Sequence, residues 1–235
     1  MSRRHPPLAD SHPQNVEPGH LPSHHFAADP ATALAIGGDG TVLGVDPQGA
    51  PLSVRLFRPS LTRVVLVGSP RCAQLIGYRA LACGAQLTVG TARPQVWTPL
   101  VSAATPDPVA VRPFDAEPFT TGRRTRPLLH FDDAPPYGTP PELPAGRWTT
   151  VVTIRELLTH REAELLERAD LVVLQPLVAA EVDVLASALR APGADQRLTH
   201  LPADVLTVAD RRGVRWGRLS VTPIESRYFG PALRR

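Results

Sequence analysis

The chain of 235 residues contains no lysine, and all 25 of its basic residues are arginine. Chemistry that requires an ε-amino group, including that of the lysine in a phosphate-binding loop, is therefore excluded. Methionine occurs once, and aromatic residues make up only 5% of the chain. The arginines face 22 acidic residues, which leaves a formal charge of +3. This small surplus argues against nucleic acid as a partner.

Long hydrophobic runs are also absent. No apolar stretch reaches 18 residues, and the longest are strand-sized pieces such as residues 64–67. A membrane-spanning helix is therefore excluded, and the N-terminus lacks the apolar stretch of a signal peptide. We expect a cytoplasmic protein without membrane insertion.

Cysteine is scarce as well. Cys72 and Cys83 are eleven residues apart on one predicted helix, which places them about 16 Å apart along its axis. This distance is too long for a disulfide bond. We expect a reduced protein in which both thiols are packed.

Proline is abundant, with 27 residues, and it helps to divide the chain. Residues 1–30 are rich in Pro, His and Ser, which predicts a disordered tail followed by a single domain over residues 31–235. Five of the eight histidines lie in this tail, without cysteine or regular ligand spacing. The tail is therefore interpreted as polar chain, and neither a metal nor a cofactor is expected.

The remaining sequence alternates short β-branched runs with amphipathic segments, which predicts an α/β fold with a mostly parallel central sheet. Hairpin-like strands and turns over residues 33–58 predict an N-terminal β-meander. Two strands over residues 205–221 predict a C-terminal β-hairpin. The intervening strands are predicted at residues 63–68, 85–90, 109–111, 128–133, 148–154 and 170–174, and the helices at 71–83, 94–104, 159–168 and 177–189.

The strand at residues 63–68 leads through Gly68 and Ser69 into the helix that begins near Arg71. Such a strand–turn–helix unit is where phosphate-binding loops are built, because helix N-termini carry free N–H groups. The motif G-x-x-x-x-G-K-[ST] is degenerate here. Its last three functional positions are occupied by Ala73, Gln74 and Leu75. Gly68, Ser69 and Arg71 remain as a candidate anion or ligand site.

The strand at residues 128–133 ends in Asp132 and Asp133. Apolar residues that end in two acids have the form of a Walker B strand, in which one acid supports Mg²⁺ and the other polarises water. Many strands also end in Asp for turn formation, and the Ala134-Pro135-Pro136 that follows fits that alternative. We include both carboxylates in the candidate site and assign no catalytic residue.

The order of the segments before the degenerate loop is itself informative. Ile36-Gly37-Gly38-Asp39 precedes Gly49, which is followed by Pro51-Leu52-Ser53-Val54-Arg55-Leu56 and then by residues 63–68. This order resembles the segment leading into the P-loop domains of FtsK/EccC-type motor ATPases, and a looser likeness extends over residues 33–225. The resemblance implies a P-loop-like topology. EccC-type proteins drive type VII secretion in high-GC Gram-positive bacteria, so it also implies association with such an apparatus.

Three hypotheses follow for the function. The leading one is a non-catalytic, P-loop-like adaptor or regulatory component of a type VII secretion apparatus, with secretion-system proteins as partners. The second is a small-ligand or nucleotide-binding α/β enzyme that uses Asp132 and Asp133 at the carboxyl edge of the sheet. The third is a nucleic-acid-binding protein that uses the arginines at residues 123–126 and 211–218.

Overall fold

The computed structural model describes residues 40–104, 109–116, 121–135, 146–189, 196–211, 213–232 and 234. The tail predicted over residues 1–30 lies outside these ranges, and so does the first strand of the predicted meander, at residues 33–36.

Ten strands and five α-helices form the described part of the chain. The strands are β1 (Gly40–Val45), β2 (Pro51–Arg55), β3 (Thr62–Val67), β4 (Gln86–Thr91), β5 (Val109–Arg112), β6 (Leu128–Asp133), β7 (Thr149–Arg155), β8 (Leu171–Leu174), β9 (Val205–Asp210) and β10 (Gly213–Leu219). The helices are α1 (Pro70–Ala82), α2 (Thr98–Ala103), α3 (Ala163–Glu167), α4 (Ala179–Ala188) and α5 (Pro223–Phe229). Short 3₁₀ helices at Pro94–Trp97, His160–Glu162 and Gln196–Thr199 complete the described elements.

The strands form one sheet in the order β2-β1-β10-β9-β8-β3-β7-β6-β4-β5. The six strands from β8 to β5 are parallel. The strands β9, β10, β1 and β2 extend this sheet with antiparallel pairings. The predicted α/β fold with a mostly parallel sheet is confirmed, and β9 and β10 form the predicted C-terminal hairpin.

Strand β3 lies at the centre of the fold and is buried on both faces. Its Val64 and Leu66 belong to the apolar cluster that includes residues of α1. Val65 and Val67 belong to a second cluster that includes residues of α3 and α4. Full burial of each such side chain contributes about 1.5–3 kcal/mol. The continuous β-branched run therefore specifies a strand covered by helices on both sides.

Helix α1 follows β3 directly. The Oγ of Ser69 accepts a hydrogen bond from the backbone N–H of Cys72 at 3.3 Å, and Pro70 occupies the first turn. The helix ends before Gly84, whose φ of +79° is readily adopted by glycine. Neither cysteine forms a disulfide bond within the part of the chain that the structure describes. Cys72 is buried, which raises its pKa to about 12. Cys83 is exposed, so the expectation of two packed thiols is wrong for this residue: it follows the last helical turn, beyond the apolar face of α1.

Strands β3 and β4 are parallel, as the β-α-β pattern predicts, but they are not neighbours. Strands β7 and β6 lie between them in the sheet. This order places the ends of β3, β7, β6 and β4 side by side along the carboxyl edge, where the candidate site residues lie.

Candidate functional site

The turn between β3 and α1 consists of two residues, Gly68 and Ser69. The N–H of Gly68 donates to the carbonyl of Arg155 at 2.9 Å. The N–H groups of Cys72 and Ala73 donate to the carbonyl of Ser69 at 3.0 and 3.4 Å. A phosphate cradle requires several free N–H groups on an extended loop. In this tight turn, the N–H groups of these three residues are directed to protein acceptors.

The side chain of Gln175, which directly follows β8, fills the space beside the turn. Its Oε1 accepts a hydrogen bond from the N–H of Ser69 at 2.6 Å. A Cβ atom added to Gly68 would lie 2.6 Å from the same oxygen. Its Nε2 donates to the carbonyl of Ala232 at 2.5 Å. Gln175 therefore links the β3–α1 turn to the C-terminal segment. Sequence reasoning missed Gln175, although a polar residue directly after a buried strand was a usable signal.

The C-terminal segment is fixed beside this turn by Arg234. Its guanidinium pairs with Glu181 of α4, with Nη1 2.9 Å from Oε2, and donates to the carbonyl of Pro176 at 3.0 Å. Burial opposes ionisation of Glu181, but the hydrogen bonds from Arg234 and from backbone N–H groups hold its pKa below the usual range. Arg71 is exposed and lies against Gly230 of the same segment.

The carboxylate of Asp133, at the end of β6, is enclosed by donors. Its Oδ2 accepts hydrogen bonds from Thr91 Oγ1 at 2.8 Å and from Trp97 Nε1 at 2.9 Å, and its Oδ1 accepts from Arg93 Nη2 at 2.6 Å. The hydrogen bond to Asp133, and then the one to Glu156, raise the pKa of Arg93. Asp133 thus acts as an anchor for the segment after β4.

Asp132 is buried beside Asp133, but it has weaker partners. Its nearest donors are the N–H of Ala134 at 3.3 Å and Thr153 Oγ1 at 3.4 Å. Burial raises its pKa, an effect that Arg155 opposes. The charged form that a magnesium ligand requires is therefore disfavoured at Asp132.

A cavity of about 510 Å³ opens at the carboxyl ends of β4, β6 and β7. Asp133 contributes to its wall, together with Arg93, Arg155 and residues after β7. Gly68, Ser69 and Arg71 are not among its lining residues. The sheet thus brings the residues after β3 and the aspartates of β6 to one edge, with β7 between them. The residues after β3 do not line the cavity to which Asp133 contributes.

Several arginines of the predicted cluster at residues 211–218 have acidic partners. In the β9–β10 hairpin, Arg215 pairs with Asp210 and Arg218 pairs with Asp204. Arg211 lies 3.8 Å from Asp170. These pairs lower the positive potential that nucleic acid would meet.

Within the described residues, no group of three or more His, Cys, Asp or Glu side chains is placed to hold a metal ion. No helix among them combines the length and apolarity needed to cross a bilayer.

No protein-family model and no curated protein matches this chain. Among solved structures, it is similar to the genome packaging NTPase B204 of Sulfolobus turreted icosahedral virus 2 in complex with AMPPCP. That match has 12% identity and a TM-score of 0.48, and it covers 70% of this chain and 100% of the viral protein. The chain is also similar to Thermomonospora curvata EccC (ATPases 2 and 3) in complex with a signal sequence peptide, at 13% identity and a TM-score of 0.46. The latter match covers 86% of this chain but only 42% of the EccC chain.

Proposed function

We propose that this chain is a non-catalytic, P-loop-like adaptor or regulatory component that works in the cytoplasm with protein partners of a type VII secretion apparatus. The observation that carries the proposal is the occupation of the β3–α1 turn by Gln175. A phosphate group bound at this turn would have to displace both the glutamine and its hydrogen bond to the C-terminal segment.

The residues at the functional positions of the motif support the same conclusion. Ala73, Gln74 and Leu75 are buried in the core, with exposures of 0, 2 and 1%. The amide of Gln74 donates to the carbonyl of Val96 at 2.6 Å. These side chains stabilise the packing of α1 and do not face a ligand.

The acids of β6 are also committed to structural roles. The carboxylate of Asp133 is bound by Arg93, Thr91 and Trp97, and burial disfavours ionisation of Asp132. Coordination of Mg²⁺ by Asp133 would require the loss of several of these hydrogen bonds.

An apolar face of the β9–β10 hairpin supports a role in protein binding. Val214 and Trp216 are 56 and 47% exposed. They alternate with Arg215, so they lie on one face of β10, and Arg218 lies further along the same face. Arg218 is paired in register with the exposed Val45 of β1. Exposed tryptophan beside arginine is typical of interface hot spots. The face fits a protein partner that offers an apolar pocket.

The type VII setting rests on the order of segments before β3, which resembles that of FtsK/EccC-type proteins. It is tested by cross-linking the full chain in a high-GC Gram-positive host that has a type VII secretion system. We expect cross-links from the hairpin to a secretion component. We also expect Trp216→Ala to reduce recovery of that component by about tenfold or more, as for a hot-spot residue.

Ile224→Ala is the matched control, because Ile224 is 53% exposed on α5. This variant should leave recovery of the component unchanged. The proposal fails if no secretion component is cross-linked, or if Trp216→Ala and Ile224→Ala have equal effects. ATP turnover that disappears in Asp132→Ala would also overturn it.

A further inference from the structure

The cavity at the carboxyl ends of β4, β6 and β7 is lined by an arginine that has a buried N–H without an acceptor. Arg155, the last residue of β7, is only 7% exposed and contributes to the cavity wall. Its Nη1 donates to the carbonyl of Ile154 at 2.8 Å. Its Nε is buried without a hydrogen-bond partner. Glu162 Oε1 lies 3.9 Å from this Nε, too far for a hydrogen bond. A buried N–H in this state is costly, so a shift of the guanidinium toward an acceptor in the cavity would be favoured.

The acidic groups of the cavity wall are already bound within the protein. Asp133 accepts hydrogen bonds from Arg93 and Trp97. Glu156 pairs with Arg93. Glu162 accepts hydrogen bonds from the N–H and the hydroxyl of Thr159 at 2.8 and 2.6 Å. The carboxylates of Asp133 and Glu156 are therefore bound by Arg93, and Oε2 of Glu162 is bound by Thr159, whereas Arg155 keeps one buried N–H without an acceptor. The cavity therefore favours an anionic group over a cation.

We propose that this cavity binds a small organic molecule through an oxyanion group, a carboxylate or a phosphate, that accepts hydrogen bonds from Arg155. A volume of about 510 Å³ lies within the usual range for small-molecule sites, roughly 300–1,000 Å³. Ala134, Pro135 and Ile154 supply apolar wall for the rest of the molecule. The planar guanidinium matches both kinds of oxyanion. This site is independent of the β3–α1 turn and of the hairpin face.

The proposal is tested by titration calorimetry on the full chain with benzoate and phenyl phosphate. Both probes carry an oxyanion on an apolar ring, and benzamide is the neutral probe of similar shape. We expect the wild-type protein to bind at least one oxyanion probe and to bind benzamide at least about tenfold more weakly, because hydrogen bonds to a charged group are lost. The tighter of the two oxyanion probes identifies the preferred chemistry.

Two variants test the role of the cavity. Arg155→Gln should weaken binding of the oxyanion probe at least about tenfold. Because replacement of a buried arginine can impair folding, Ala92→Trp provides a second test: Ala92 is exposed on the cavity wall, and an indole there should obstruct the opening. Arg124→Gln changes an exposed arginine before β6, at the opposite edge of the sheet, and should bind as the wild type does.

Three results would overturn the proposal. The first is that the folded wild-type protein binds neither oxyanion probe. The second is that benzamide binds as tightly as they do. The third is that Ala92→Trp, or a folded Arg155→Gln protein, retains wild-type affinity.

Discussion

At the scale of single residues, Asp133 shows how a carboxylate at the end of a Walker B-like strand can serve the fold. The side chain is 3% exposed, and its donors come from β4, from the 3₁₀ helix before α2 and from the segment between them. Its contacts join the end of β6 to the end of β4. The role of Asp133 is thus explained without a ligand.

Asp133→Asn should destabilise the protein by about 1–3 kcal/mol. The amide keeps the shape but loses an acceptor oxygen and the charge that Arg93 faces, and partial exposure of Arg93 moderates the loss. Urea unfolding measures the difference. The same change at the exposed Asp115 should stay within about 0.5 kcal/mol of the wild type. Equal stability of the two variants would contradict the anchoring role.

His130 of β6 supplies a pH dependence of stability. Burial lowers its pKa from 6.5 to about 4. Between these values the unfolded chain binds a proton that the folded protein does not, so stability falls as pH falls through this window. The full effect is about 3 kcal/mol. Asp132 has the opposite effect on stability. Because its pKa is raised above 3.8 in the folded protein, its contribution to the free energy of unfolding falls as pH rises above that value.

His130→Gln removes the histidine contribution and leaves Asp132 in place. The loss of stability between about pH 7 and about pH 5, measured by urea unfolding, should be smaller in this variant than in the wild type. His160→Gln, at an exposed histidine, is the matched control. A pH dependence unaltered by His130→Gln would show that His130 is not buried as described.

At the scale of elements, the strands and helices with a clear apolar pattern were predictable from the sequence. Which strands are neighbours in the sheet was not predictable. The β-branched run of β3 and the apolar face of α1 reflect local patterns, so both elements were predicted. The insertion of β7 and β6 between β3 and β4 is a tertiary arrangement that no local pattern encodes. Helix α5 was missed, although Thr222 and Glu225 form a capping box at its start.

The junction of β1 with β10 depends on a close approach at Gly44. A Cβ atom at this position would lie 1.8 Å from the carbonyl oxygen of Arg218 and 3.1 Å from the Cα of Leu219. Gly44→Ala should therefore destabilise the protein by about 1–3 kcal/mol or more, because backbone must move apart. Thermal and urea unfolding test this expectation. Val45→Ala, at a neighbouring residue that is 41% exposed, should have a much smaller effect, and a reversed order would contradict this packing.

At the scale of the whole molecule, the described residues form one sheet with a parallel part, from β8 to β5, and an antiparallel part made of β9, β10, β1 and β2. The proposed oxyanion cavity lies at the parallel part, and the proposed protein-binding face lies on the antiparallel part. The edge position of Asp132 and Asp133 followed from the sequence because parallel strands end together. Gln175, Arg93 and Arg155 were missed as site residues, because their importance arises from contacts with residues far away in the chain. The role of Gln175 depends on Ser69, 106 residues earlier.

The filled turn also determines what nucleotides should do to the protein. A ligand that binds only the folded state stabilises it by about 2.7 kcal/mol at a hundredfold excess over its Kd. Because Gln175 and the C-terminal segment occupy the space beside Gly68 and Ser69, we expect no such stabilisation by a nucleotide bound at this turn.

Thermal unfolding with and without Mg-ATP, Mg-GTP and ADP, with Asp132→Asn as the matched variant, tests the central claim most directly. We predict that no nucleotide raises the unfolding midpoint of the wild type more than that of the variant, so that any rise caused by binding in the oxyanion cavity appears equally in both. A midpoint raised by nucleotide in the wild type and not in Asp132→Asn would contradict the account, because it would reveal a working nucleotide site at the carboxyl edge.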